Sequence, residues 1–246
     1  LQGGNDLLSY IARPLGMLLK IIFDFIGDYG YSIIVFTIIT KLLLLPINIK
    51  QTESTKRMNE INPKMKEIQE KYKHDKEKMN QKLIELYKEH NYNPASGCLP
   101  LIIQMPILLA LFYVIREPIK YVFLDAGVYE GIAKNFWWLA DLGKPEMATT
   151  VIRVAGFGLP ILSILSAVTT YYQMKMVSPQ KSKTEKGKSD QVQQTQSMMT
   201  NIMPIMFGMI TINVPSGLAL YWVVGNIFTI IQQSFTMKPQ AARKEV

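Results

Sequence analysis

The sequence predicts an all-α membrane protein: five transmembrane helices, an N-terminal interfacial amphipathic helix and a cytoplasmic helical hairpin. Three observations carry this. Apolar residues make up 48% of the 246 residues, yet mean hydropathy is only +0.10, because long apolar runs alternate with lysine-rich ones. Five of those runs approach the roughly 20 residues that a helix needs to cross a hydrocarbon core of about 30 Å. The net charge of +8 lies in the segments flanking the runs, a pattern of membrane topology rather than of nucleic-acid binding.

Residues 1–30 hold Leu7, Leu8, Ile11, Leu15, Leu18, Leu19 and Ile22 near helical spacing, interleaved with Asp6, Arg13 and Lys20. This reads as an amphipathic helix lying on the membrane, with Asn5 and Asp6 as candidate caps and Pro14 as a break or kink. The first span is 31–48. Residues 49–97 form a charged insert; its 50–93 portion has eleven basic and eight acidic residues, a charge density that suits a solvated face. There Asn62-Pro63 reads as a helix start. Met65, Ile68 and Tyr72 form one apolar stripe, and Met79, Leu83, Leu86 and Tyr87 form a second beyond a turn at Lys73-His74-Asp75. The second span is 98–115. Residues 116–150 are slightly acidic, with Phe136, Trp137 and Trp138 suited to an interfacial belt. The third span is 151–174. Residues 175–197, rich in Lys, Gln and Ser, read as a flexible loop. The fourth and fifth spans fill 198–235, joined by Pro215-Ser216-Gly217, and 236–246 is a basic tail.

Lysine bias places the insert, the 175–197 loop and the tail in the cytoplasm, giving an outside N-terminus and an inside C-terminus. The one cysteine, Cys98, excludes an internal disulfide. No cofactor or metal site is expected, and no phosphate-binding G-x-x-x-x-G-K-[ST] motif is present.

The unusual residue is Lys41, about ten residues and so about 15 Å into the first span. A charge at such depth costs roughly 3 kcal/mol on insertion scales and usually faces a polar interior. Thr37 shares its face at i−4. Gln104 lies near the same depth on the second span, and Thr169, Thr170 and Gln173 occupy the cytoplasmic half of the third. Trp222, Asn226, Thr229 and Gln233 line one face of the fifth. Taken singly, such residues are more often helix–helix hydrogen bonds than functional sites. Together they predict a hydrated concavity open to the cytoplasm. No acidic residue lies deep in any span, so an acidic stretch of a passing substrate is the expected counter-charge.

The lead-in and second span, from Asn93-Pro94-Ala95-Ser96-Gly97-Cys98-Leu99-Pro100 through Gln104-Met105-Pro106 to Phe112-Tyr113, closely resemble the YidC family of membrane protein insertases. Pro215-Ser216-Gly217-Leu218-Ala219-Leu220-Tyr221-Trp222 with Asn226, and Thr37 through Pro46, carry the same resemblance. It covers nearly the whole chain and points to the shorter bacterial form without a large extracytoplasmic domain. The resemblance implies a non-enzymatic insertase and chaperone of the bacterial plasma membrane. It also implies five core spans around a hydrophilic groove with a positive residue on the first span. That residue is most often arginine in the family and is Lys41 here; a lysine keeps the charge without the bidentate fork. Thr37 and Trp222 match substrate-contacting positions. The implied partners are nascent membrane proteins, the ribosome, the Sec translocon and membrane lipids, with no specific nucleic-acid binding.

Rival readings are a small-molecule transporter or channel, and a structural membrane scaffold. The first lacks the internal repeat and paired intramembrane charges it needs. An intramembrane hydrolase lacks a deep base.

Overall fold

A computed structural model describes residues 2–92, 99–178 and 191–237, with side chains from 9–92, 105–178 and 200–237. Helix α1 runs over Gln2–Ile26 and continues through Pro14, so of the expected break or kink at Pro14 the break does not occur. Its buried Ala12, Leu19 and Ile22 face the bundle, while Tyr10, Met17, Ile21 and Phe25 are exposed. It packs on the helices Tyr29–Leu43 and Leu99–Arg116 and on a π-helical turn at Ile119–Phe123. The approach is backbone to backbone: a Cβ added at Gly16 would lie 2.0 Å from the carbonyl oxygen of Tyr121. Gly16→Ala must therefore lift α1 off that turn. The expected loss is about 2 kcal/mol, within the usual range for overpacking, read as a lower melting temperature in detergent.

Gly27, at φ +72°, ends α1, and the Asp28 carboxylate caps α2 (Tyr29–Leu43) by accepting from the Tyr31 N–H at 2.9 Å. The predicted first span is not one straight helix. α2 stops at Leu43, and α3 (Leu45–Lys71) leaves at a bend of 63°. Pro46 is the cause. It has no N–H to offer the Leu42 carbonyl, and its ring crowds the preceding turn.

α3 and α4 (Lys76–Glu89) make the hairpin, joined by a turn whose Asp75 caps α4 through the Lys78 N–H at 3.0 Å. Its small core is Ile61, Met65, Leu86 and Tyr92, flanked by Met58, Ile68, Leu83 and Tyr87. Burial raises both tyrosine pKa values above the ordinary phenol value; for Tyr92 the neighbouring Tyr87 adds to it. The expected helix start at Asn62-Pro63 is corrected: both lie inside α3, which is already helical from Leu45. Proline still removes one intrahelical bond there. One turn earlier, the Asn59 amide leaves its own helix and donates to the Val177 carbonyl at 3.0 Å, at the end of the helix Ile161–Val177.

α5 (Leu99–Arg116) buries Ala110, Leu111, Val114 and Ile115 in the main core. Residues 93–98, Cys98 among them, lie outside the described residues. Past the π-helical turn, Asp125 caps the short α6 (Ala126–Gly131) through the Gly127 N–H at 2.7 Å. The three neighbouring aromatics of the 116–150 segment diverge. Phe136 is buried against Gly30, Trp137 is exposed, and Trp138 donates to Glu146 at 3.0 Å. The same segment holds the start of the helix Ser216–Thr236: the Gly217 and Ser216 N–H groups donate to the Leu142 and Lys144 carbonyls at 2.9 and 2.8 Å.

The helix of the predicted third span begins at Ile161, not at residue 151. Residues 153–158 form an antiparallel pair, β1 (Arg153–Val154) and β2 (Phe157–Gly158). Ala155 and Gly156, both at positive φ, reverse the chain, and Pro160 precedes the helix proper. α8 (Ile161–Val177) has no cap from its own flanking residue. Its N-terminus is capped from a distance by Glu146, the first residue of α7 (Glu146–Thr149). The fully buried carboxylate accepts from the Leu162 and Ser163 N–H groups at 2.8 and 3.1 Å.

α9 (Gln191–Asn213) starts earlier than the predicted fourth span, so the second part of the expected flexible loop is helical from Gln191. Residues 179–190 of that loop and 238–246 of the tail lie outside the described residues. α10 (Ser216–Thr236) matches the predicted fifth span and sits between α2 and α8. Among the described residues, α10 alone is long and apolar enough to cross a membrane by itself; α2 and α3 qualify together as a bent pair. The fold is helical, with one two-stranded sheet among the described residues.

Candidate functional site

α10 organises the polar residues because α2 packs on one side of it and α8 on another. On the α2 side, Thr37 is fully buried and its hydroxyl donates to its own helix, to the Ile33 carbonyl at 2.6 Å. One turn on, Lys41 lies across Gly225 of α10. A Cβ added there would stand 3.0 Å from Lys41 Cε, 3.6 Å from Nζ and 3.8 Å from Thr37 Cγ2. The absent side chain of Gly225 is thus what makes room for the lysine. Because α2 ends at Leu43, Lys41 belongs to its last turn, where unpaired carbonyls and the helix dipole favour a cation. No acidic side chain pairs with it among the described residues. The lysine is partly exposed.

On the α8 side the polar residues meet each other. The Asn226 amide donates to Thr170 Oγ1 at 2.8 Å and to Thr169 Oγ1 at 3.1 Å, and the Trp222 indole N–H donates to Thr170 Oγ1 at 3.1 Å. The Thr169 hydroxyl itself donates to the Leu165 carbonyl at 2.7 Å. Phe207 of α9 stacks on Trp222 with centroids 4.5 Å apart, fixing the indole plane. Thr229 donates within α10 to the Gly225 carbonyl at 2.8 Å. At the far end of α10, Gln233 is buried with its carbonyl oxygen unpaired, and both amide atoms of Gln232 are buried and unpaired.

The structure therefore brings Thr169, Trp222 and Asn226 into one hydrogen-bonded seam, with Lys41 and Thr37 beside Gly225, the residue preceding Asn226. Thr229 and Gln233 continue along α10. Gln173 is half-buried near the end of α8 and makes no recorded hydrogen bond to the others. Gln104 lies on α5, with its side chain outside the described residues. Sequence reasoning missed Gly225 and Gln232. Both sit within the polar run of α10, and a glycine flanked by Trp222 and Asn226 was the available signal for the first.

A sequence profile described as 60Kd inner membrane protein matches residues 21–244. The chain is 37% identical over 255 residues to the membrane protein insertase YidC of Clostridium perfringens, an alignment covering 97% of this chain and 98% of that protein. It is 36% identical over 226 residues to the YidC of Syntrophobacter fumaroxidans, covering 92% of this chain and 37% of that longer protein. A solved structure, an active YidC insertase crystal structure with the first transmembrane domain resolved, superposes with a TM-score of 0.59 at 29% identity, covering 89% of this chain and 43% of that one. The chain thus spans nearly all of the first relative and less than half of each of the other two. On the profile match and the full-length alignment, the chain belongs to the YidC family of membrane protein insertases.

Proposed function

We propose that this protein inserts newly made membrane proteins and helps them fold, through a polar groove whose positive element is Lys41. The observation that carries the reading is a lysine seated on a glycine of α10 with no carboxylate partner among the described residues. The α2–α3 pair, α5, α8, α9 and α10 act as five spans, with α1 at the interface, in the bacterial plasma membrane. Lysine bias supports an outside N-terminus and a cytoplasmic hairpin and tail. The substrates are nascent membrane proteins, with the ribosome, the Sec translocon and lipids as partners. No bond-making chemistry is involved.

The hairpin meets an incoming segment first. A short acidic region then enters the groove and is drawn to Lys41. A carboxylate 4 Å from the ammonium gains about 4 kcal/mol at an effective dielectric near 20, against about 1 kcal/mol in bulk water. That gain is of the same size as the roughly 3 kcal/mol cost of an aspartate at mid-bilayer. The electrostatic term is therefore large enough to decide whether an acidic segment enters. The apolar part of the substrate moves along α2, α8 and α10 into lipid.

The test is insertion of a single-span substrate with an acidic or a neutralised tail into proteoliposomes. Lys41→Ala should lose most insertion of the acidic-tailed substrate and little of the neutral one, while Lys41→Arg retains both. Equal insertion by parent and Lys41→Ala would remove the electrostatic part of the mechanism.

A further inference from the structure

The segment leading into α8 exposes more apolar surface than a short loop in water should carry. Val151, Val154 and Phe157 are 68%, 60% and 73% exposed, and Trp137, in the neighbouring stretch, is 70% exposed. They stand on one built unit. The Val151 N–H donates to the Trp138 carbonyl at 2.9 Å, and the Leu159 N–H closes the β1–β2 hairpin on the Ile152 carbonyl at 2.9 Å. Gly158 seats the hairpin against α7, where an added Cβ would meet the Met147 carbonyl oxygen at 2.5 Å. The apolar side chains are thus displayed by a held backbone. Among them Arg153 is also exposed, with no acidic partner among the described residues.

We infer that the β1–β2 hairpin and Trp137 form a lipid anchor in the extracytoplasmic leaflet, with Arg153 on a phospholipid phosphate. The inference rests on α8 spanning the membrane. Three features select lipid as the occupant. The hairpin joins α8 through only Leu159-Pro160, so it stands at that helix's outer end. α8 is 17 residues, about 25 Å, and stops short of the core thickness, leaving the outer boundary to be covered by what precedes it. Val154 and Phe157, paired across the hairpin, share one face, and the exposed Arg153 at its rim pairs with Gly158; apolar and aromatic side chains with a guanidinium at their edge match the acyl–headgroup boundary, where rings sit at headgroup level and arginine meets phosphate. Depth is limited by the backbone: a two-stranded sheet keeps free N–H and C=O edges, which are tolerated among headgroups and water but not in hydrocarbon.

The experiment uses the full chain with Cys98→Ser, reconstituted in phosphatidylcholine–phosphatidylglycerol vesicles. An environment-sensitive fluorophore is placed in turn at Phe157→Cys, at Val168→Cys on the exposed face of α8, and at exposed Glu130→Cys. Phospholipids brominated near the headgroup or near the chain end serve as quenchers. The Phe157 probe should lose most fluorescence to the shallow bromines, the Val168 probe to the deep ones, and the Glu130 probe to neither. Adding Arg153→Gln should weaken the shallow quenching. A quenched Val168 probe with an unquenched Phe157 probe overturns the anchor and leaves the membrane reading standing. If neither is quenched, both fail. A Phe157 probe shielded from aqueous iodide yet untouched by brominated lipid means that a protein surface, such as a second copy, covers the hairpin, and also overturns the inference.

Discussion

Glu146→Ala should lower the unfolding free energy by about 3 kcal/mol, the scale of a buried charged acceptor removed from several donors. The carboxylate is fully buried and takes the Trp138 indole N–H, the Leu162 and Ser163 amides and the Ser163 hydroxyl, the last at 3.4 Å. The two amides belong to the first turn of α8 and have no partner inside the helix. A negative charge there is also favoured by the helix dipole. Alanine leaves these donors buried and unmet. Glu146→Gln should cost less, because one carbonyl oxygen remains, but its NH2 group turns a donor toward donors. Thermal or urea unfolding in detergent reads the order parent, Gln, Ala. A Glu146→Ala protein as stable as the parent would mean that water replaces the carboxylate.

Gly225→Leu should reduce insertion of an acidic-tailed substrate by about tenfold, an effect of about 1.4 kcal/mol and so within the range that overpacking produces. The nearest atom to a new Cβ is Lys41 Cε, the far end of a flexible chain, so Gly225→Ala needs only a small lysine shift. Leucine occupies the space of the ammonium itself and presses on α2. The pair separates position from charge, since Lys41 is present in both variants. Melting temperatures measured alongside insertion show how much of the leucine effect is lost folding. If Gly225→Leu inserts as well as the parent, the seating of Lys41 on α10 has no functional weight.

Much of this fold is legible without coordinates, and the reasons differ by element. α10 is read almost to the residue because Pro215-Ser216-Gly217 punctuates an otherwise continuous apolar run. The hairpin core is read in part: Met65, Ile68, Leu83, Leu86 and Tyr87 keep helical spacing in a charged background and belong to it, whereas Tyr72 and Met79 of the expected stripes do not, and its buried Ile61 and Tyr92 lie outside those stripes. The stretch from Val151 to Pro160 misleads because apolarity alone does not separate strand from helix; Ala155-Gly156 and Pro160 were the local signals. Pro46 and Pro63 show why proline is hard to place. The first breaks a helix and the second is carried inside one, and local sequence does not say which neighbours supply replacement bonds. Glu146 had no local signal, since its partners at Leu162 and Ser163 lie on the far side of the hairpin. At the site, helical register alone relates Thr37 to Lys41. The pairing of Asn226 and Trp222 with Thr170 is set by how α8 meets α10, which no single helix encodes.

The bend at Leu44 gives the molecule a lever. α3 is one helix of 27 residues, about 40 Å long, with its fulcrum three residues from Lys41. A swing of about 10° there moves its far end by about 7 Å, while atoms beside the fulcrum move by a small fraction of that. The Asn59 amide's bond to the Val177 carbonyl ties the arm to α8 partway along its length. A rotation about that bend would therefore appear at Lys41 as a small displacement and at the hairpin tip as a large one.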